Sequence, residues 1–426
     1  LSTHAFTCIP CKAAYLVALD LFLLYYRAMN FSKRIDFFAD RNRLDLERGQ
    51  HLRSGLPLFD LSQSNPTMTG LTHTTEELEE AFANGRNVIY SPDPKGIFQS
   101  RTEIAHHLEH SGLSVDPDGL FLCASTSEAY SYLFKLLCDP GDAVLVPKPG
   151  YPLFDHLAAL ESVDAVGYRL EYDHPLGWSI DIASMEKILE AQGGERVKAI
   201  VLINPNNPTG SYVHSSELRA ILELCHRHSI ALISDEVFFG FPLEPRAEPI
   251  SLLGNSEVLT FVLDGLSKRL CLPQLKLGWI SVSGPDEQVS KAKSALEIIS
   301  DTFLSAGTPI MNAAGLLLRN EETIRLQTLE RMKEVLGIYR EALVYEGSPH
   351  RILACEGGWT MLVQSPRFAG EEELARGLIQ EMGIYIQPGY FFDMEKEAYF
   401  AFSLIVKPEE ARRAVRKYRE YFERYI

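Results

Sequence analysis

From about residue 75 to residue 310, short apolar, β-branched runs take turns with segments whose apolar residues recur at helical spacing, and few architectures accommodate that alternation. The runs at 120–124, 143–147, 199–204, 231–235 and 258–264 read as strands, and 127–137, 215–228 and 288–300 read as amphipathic helices between them. Such a series builds a mostly parallel sheet covered by helices, with ligands at the carboxyl ends of its strands. After residue 310 the texture changes. One long helix is expected over about 309–346, short strands near 359–364 and 399–405, and a closing helix from Pro408 that starts with Glu409 and Glu410 and turns basic later, as the helix dipole favours. The expected architecture is α/β: a large domain over 76–310 with a mostly parallel central sheet flanked by helices, and a smaller α+β domain over 311–426 joined by part of an N-terminal arm, 29–75.

At 426 residues the chain exceeds one compact domain of ordinary size, and no repeat or Gly/Ser linker separates its parts, so the lobes are interleaved. Asp and Glu number 57 against 41 Lys and Arg; the net charge of -16 opposes binding to nucleic acid or anionic membranes. Seven scattered cysteines form no disulfide framework and fit a reducing, cytoplasmic setting. Cys8 and Cys11 make a C-x-x-C pair without the second pair a zinc site needs, so no metal is expected. Residues 13–26 are apolar apart from Asp20, yet shorter than the ~20 residues of a spanning helix. Met29 is the first methionine, and residues 1–28 are expected to be a non-native or flexible upstream extension.

Three motifs carry chemistry. Gly265-Leu266-Ser267-Lys268 follows an apolar strand; a lysine there can be neutral enough to attack an aldehyde, although a lone lysine after a strand is usually a solvated charge. Asn204-Pro205-Asn206-Asn207-Pro208-Thr209-Gly210 ends another strand and is more than the common turn its composition allows. Asp235, followed by Glu236, ends a third. A carboxylate at that place pairs with a protonated pyridine nitrogen or, more plainly, caps the next helix.

In this order the run N-P-x-N-P-T-G, then D-E, then S-K-x(7)-K-x-G resembles the class I/II aminotransferases of the fold-type I pyridoxal-phosphate superfamily, over roughly residues 30–426. The resemblance implies pyridoxal 5'-phosphate as cofactor and a homodimer with active sites at the subunit interface. It implies transfer of an amino group from an amino donor, expected to be an α-amino acid, to an oxo acceptor. Carried over residue by residue, Lys268 would hold the cofactor as a Schiff base and move the proton. Asn207 would donate to the phenolic oxygen, Asp235 would bind the pyridinium, and Tyr151 would stack on the ring. Ser125, Thr126, Ser127 and Lys276 would hold the phosphate, and Tyr90 would reach the phosphate of the neighbouring subunit. Ser64 and Asn65 fall in a loop similar to the one that lines the family's substrate site, where Asn207 also belongs.

Three positions depart from that pattern. Gly265 stands where many relatives have a phosphate-binding serine, Phe238 replaces a tyrosine that donates to the phenolic oxygen, and Ala401 occupies the place of the arginine that grips the substrate carboxylate. Either another cation takes over, with Arg101, Arg269 and Arg319 as candidates, or the substrate lacks that carboxylate. A lyase or decarboxylase on the same fold is the alternative activity. An effector-binding module of a regulator ranks last, because no helix-turn-helix segment precedes the domain. Tyr90, Tyr151, Phe238, Trp359, Tyr390 and Phe391 are candidates for an apolar substrate pocket, although aromatics in such number are more often core.

Overall fold

The computed structural model describes residues 32–34, 42–110, 112 and 115–425; the Cys8–Cys11 pair and the segment 1–28 lie outside the described residues. The chain divides into two units, Leu1–Ala39 and Asp40–Ile426. Of the first, residues 32–34 form a turn in which Arg34 Nε donates to Ser32 Oγ at 3.0 Å.

The second unit carries the sheets. In chain order its strands are β1 (Phe59–Asp60), β2 (Leu120–Cys123), β3 (Ala143–Lys148), β4 (Asp164–Asp173), β5 (Gly177–Ile180), β6 (Val197–Ile203) and β7 (Ala231–Asp235). They continue with β8 (Thr260–Gly265), β9 (Gly278–Ser283), β10 (Arg351–Ile352), β11 (Thr360–Gln364), β12 (Ile384–Tyr385), β13 (Gln387–Pro388) and β14 (Tyr399–Ser403). The large sheet runs β2-β9-β8-β7-β6-β3-β4-β5. From β8 to β4 all neighbours are parallel, while β9 is antiparallel to both its neighbours and β5 to β4. Strands β7 and β8 are buried throughout, as apolar runs covered by helices on both faces must be. One face packs on helices Thr126–Leu137 and Asp286–Phe303, the other on Ile182–Glu190 and Ser215–His228. Among the described residues no helix is long and apolar enough to cross a membrane.

The strands expected from the sequence are present with ends shifted by at most two residues, and the large sheet contains three more, β4, β5 and β9. Strand β4, next to the edge strand β5, mixes exposed Asp, Arg and Glu with apolar positions, so its alternation is blurred. Strand β9 is hidden by the glycine at its start. The single long helix expected over 309–346 is instead two, Thr308–Leu318 and Glu321–Leu343, broken at Arg319 and Asn320, whose amides turn back to Leu316 O and Leu317 O. Glu321 starts the second helix held by Arg269 from a distant segment, a constraint that apolar spacing does not reveal.

The small antiparallel sheet, β10-β11-β14-β13, packs on Glu321–Leu343 and Pro408–Glu423. Within β14 the two-residue period divides the side chains. Phe400 and Phe402 join the core with Tyr418 and Phe422; Tyr399 and Ala401 belong to a different cluster with Leu362 and Phe392.

The stretch ahead of β11 is pinned by charge. Glu356 Oε1 pairs with His214 Nε2 at 3.0 Å and takes the Arg246 amide at 2.8 Å, and the Glu356 amide donates to Gly210 O. Hydrogen bonds donated by its ring to Glu217 and Glu356 push the His214 pKa up from 6.5 to about 9. Because the folded value lies above the unfolded one, this stabilisation is complete below about pH 6.5 and is lost as pH rises through 9. Urea midpoints of the native chain are therefore expected to fall between pH 6.5 and 9, and His214→Gln should remove most of that slope. Equal slopes in the two proteins would exclude the effect.

Candidate functional site

Strand β8 ends at Gly265 and passes into the single turn Leu266–Arg269. Two locks hold that turn. Leu266 is fully buried with its amide on Leu277 O, and the Arg269 guanidinium donates to Asp264 Oδ2 (Nε, 2.8 Å) and Glu321 Oε1 (Nη1, 2.5 Å). Lys268, between them, has its Nζ 5.3 Å from the centre of the Trp359 ring and 5.6 Å from that of Phe238. Its Nζ makes no hydrogen bond or carboxylate pair among the described residues. Burial draws its pKa below the usual lysine value, against the opposing fields of Cys271 and Asp235.

Asp235 ends β7. Its Oδ2 accepts from the Tyr130 hydroxyl at 3.0 Å and its Oδ1 from the Val237 amide at 3.3 Å. Burial pushes its pKa up to about 6, and no cation of the described residues forms an ion pair with it. Adjacent Glu236 is structural, taking Ser234, Ser251 and the Leu252 amide. Tyr151 feels Asp235: burial and then that carboxylate raise its pKa. Its ring meets Phe154 edge-on at 5.9 Å.

The turn after β6 divides its asparagines by task. Asn204 Nδ2 donates to Ile250 O at 2.8 Å and its Oδ1 takes the Val213 amide, while Asn206 Nδ2 reaches Pro149 O at 3.1 Å and Thr209 Oγ1 at 2.9 Å. These bonds tie the turn to the segment that carries Tyr151. The side-chain amide of Asn207 makes no such bond among the described residues, and the residue is half-buried.

Between β2 and helix Thr126–Leu137, Ser125 is the N-cap, its Oγ accepting from the Glu128 amide at 3.3 Å. Thr126 and Ser127 occupy the first turn, at the positive end of the helix dipole. Exposed Lys276 has no carboxylate partner among the described residues, and its charge acts on Cys123, two residues before Ser125. The backbones here are close-packed. A Cβ on Gly265 would lie 2.8 Å from Leu277 O and Gly278 Cα, so the departure from serine at 265 is steric. Gly265→Ser is expected to cost ~1–3 kcal/mol by overpacking, read from the urea midpoint; an unchanged midpoint would exclude that crowding.

Other sequence-derived residues sit differently. The carbonyl of Asn65 caps the turn Pro66–Met68 through the Thr67 amide at 3.1 Å, and Ser64 and Asn65 are exposed. Their loop is nevertheless anchored to β14, since Ser403 N donates to Leu61 O and Ser403 Oγ to Gln63 O. Tyr90 is 74% exposed, and Tyr390 and Phe391 lie on the turn Gly389–Phe392. Two of the three candidate arginines are spent elsewhere. Arg101 donates to Gly96 O and Pro117 O, and Arg269 is the lock described above. Arg319 is exposed at the end of Thr308–Leu318. No cluster of metal-binding side chains occurs among the described residues. Sequence reasoning missed Tyr130 and Asn206, whose partners lie 105 and 57 residues away.

Residues 57–417 match the sequence model of the family described as aminotransferase class I and II. Nicotianamine aminotransferase 1 of rice (Oryza sativa subsp. japonica) is 29% identical over 262 residues, 60% of this chain and 51% of that protein. An alanine aminotransferase of Mycobacterium tuberculosis is 30% identical over 235 residues, 54% of this chain and 53% of that one. The chain thus spans about half the length of these curated relatives. The fold matches an alanine aminotransferase of Pyrococcus furiosus with a TM-score of 0.82 at 24% identity, covering 93% of this chain and all of that structure.

Proposed function

The chain belongs to the class I and II aminotransferases, and on that premise we propose that it binds pyridoxal 5'-phosphate and moves an amino group from an α-amino acid to an oxo acceptor. The observation that carries this reading is Lys268, a part-buried amine with depressed pKa whose Nζ has no polar partner among the described residues, set at a strand end beside two aromatic rings. The remaining groups fit the cofactor. Asp235 is a buried carboxylate that the protein leaves without an ion pair, which a protonated pyridine nitrogen would supply. Asn207 offers a free amide for the phenolic oxygen, and Tyr151 a ring to cover one face. Ser125, Thr126, Ser127 and Lys276 provide hydroxyls, helix amides and a cation for the phosphate.

Bound there, the cofactor supplies an electrophilic carbonyl and an electron sink. The protein does the rest. Lys268, whose charged form burial disfavours, would tether the cofactor by its Nζ and would carry the proton to and from the substrate carbon. Asp235, oriented by the Tyr130 hydroxyl, would hold the proton of a pyridine nitrogen. The edge-to-face rings of Phe238 and Trp359, 5.4 Å apart, would keep water from Nζ.

Exposed apolar side chains at Val88, Ile89, Tyr90 and Phe98 support a homodimer in which Tyr90 reaches the partner's site. We read 76–310 as the cofactor domain and 311–426 with part of 29–75 as the smaller one. The free cysteines among the described residues suit a cytoplasmic setting. The test is a single-turnover assay. An aminotransferase releases one oxo product per bound cofactor and stops until an oxo acid is added, whereas continuous turnover without an acceptor would establish a lyase or decarboxylase instead.

A further inference from the structure

Arg269, a candidate from the sequence for holding a substrate carboxylate, is occupied with a different task. Its guanidinium spans two carboxylates from different parts of the fold. Nε donates to Asp264 Oδ2 at 2.8 Å, near the end of β8, and Nη1 to Glu321 Oε1 at 2.5 Å, at the start of the helix Glu321–Leu343. Neither carboxylate is loose. Asp264 Oδ1 also takes the Gly265 amide at 2.6 Å, and Glu321 Oε2 pairs with His107 Nε2 from the helix Phe98–His110.

The long helix holds this segment a second time. Cys271 Sγ lies 3.6 Å from Thr328 Oγ1, and Glu321 and Thr328, two turns apart, share one face of the helix. Cys271 packs in the core of the small sheet with Ile324 and Leu329, whereas Leu266 and Leu270 pack with Trp279 of β9. Lys268 therefore stands on a joint between two cores. Its turn, Leu266–Arg269, is four residues long, too short to keep its shape by its own hydrogen bonds. The amine has no polar partner among the described residues to aim it, so its aim is inherited from that backbone.

We propose that Arg269 is a positioning residue for Lys268: by clasping Asp264 on the large sheet and Glu321 on the long helix at once, it fixes the backbone from which Nζ is aimed. The proposal rests on the aminotransferase reading and adds what holds its amine in place. A lysine flanked by a loose turn would swing its long stem through many rotamers; the forked ion pair removes that freedom next to the reacting atom.

The test compares kcat and KM of the cofactor-loaded protein. Arg269→Lys keeps a cation but loses the fork that spans both carboxylates, and it is expected to lower kcat about 100-fold, the effect of displacing a reacting group by about 1 Å. Glu321→Gln keeps the outline and one acceptor, so it preserves the fold even where Arg269→Lys does not, and it should lower kcat about tenfold. KM for the amino donor should change less than about threefold in both, since the lost interaction belongs to the reacting amine and not to substrate binding. Two further readouts separate positioning from general damage. When pyridoxal 5'-phosphate is added to cofactor-free protein, the rate at which borohydride fixes it on Lys268 should fall about tenfold in either variant. In Lys268→Ala with methylamine supplied in place of Nζ, either substitution should cost less than about threefold, because the amine that Arg269 aims is gone. An unchanged kcat in Glu321→Gln, or an equal loss with and without Lys268, would overturn the positioning role. Failure of the unmutated chain to take cofactor at Lys268 would instead overturn the aminotransferase reading, and this proposal with it.

Discussion

Lys268→Ala is expected to lower amino transfer by about 10⁴-fold or more, because the same Nζ serves as tether and as proton carrier. Nothing near it can substitute. Arg269 is locked by Asp264 and Glu321, and the two rings beside Nζ carry no amine. Cofactor should still be retained weakly through Ser125, Thr126, Ser127 and Lys276, and removal of a buried, unpaired amine should not lower thermal stability. Half-maximal activity in the variant would mean that another residue does the chemistry.

The second large effect concerns Asp235. Replacing it with asparagine keeps the shape and an acceptor for Tyr130 but removes the charge facing the pyridine nitrogen, and a loss on the order of 10²–10³ in kcat is expected, as for removal of one preorganised electrostatic partner. Stability of the cofactor-free chain should move the other way. Burial raises this carboxyl from 3.8 to about 6. Since the folded state holds the proton more tightly than the unfolded one, the native chain loses stability as pH rises from about 4 to 6, by at most about 3 kcal/mol. Asp235→Asn escapes that loss. At pH 8 the cofactor-free variant is therefore expected to be more stable than the native chain, and below pH 4 the two should coincide. A variant less stable at pH 8 would show that Asp235 is a structural residue whose charge the fold needs.

How much of this was legible in the sequence depends on the range of the interaction. Strands β6, β7 and β8 are uninterrupted apolar runs, and burial on both faces writes itself into local composition. The ends of those strands carry Asn207, Asp235 and Lys268, so the topology that brings them together follows from parallel strands in adjacent register. What stayed hidden was contributed by distant chain. Tyr130 and Asn206 are ordinary residues until the sheet delivers Asp235 and Pro149 to them. The break at Arg319 and Asn320 depends on Glu321 being captured by Arg269, and the sealing of position 401 depends on Leu362 and Phe392. Gly265 was visible as a departure, but its cause, the approach of Leu277 and Gly278, required the antiparallel partner β9.

The central claim is that Lys268 Nζ is the atom that joins this chain to its cofactor. Borohydride reduction of the protein loaded with pyridoxal 5'-phosphate, followed by proteolysis and mass mapping, tests it directly. One cofactor per chain on Lys268, absent after preincubation with an amino donor, is the expected result; label on Lys276 or another lysine, with Lys268 unmodified, would contradict it.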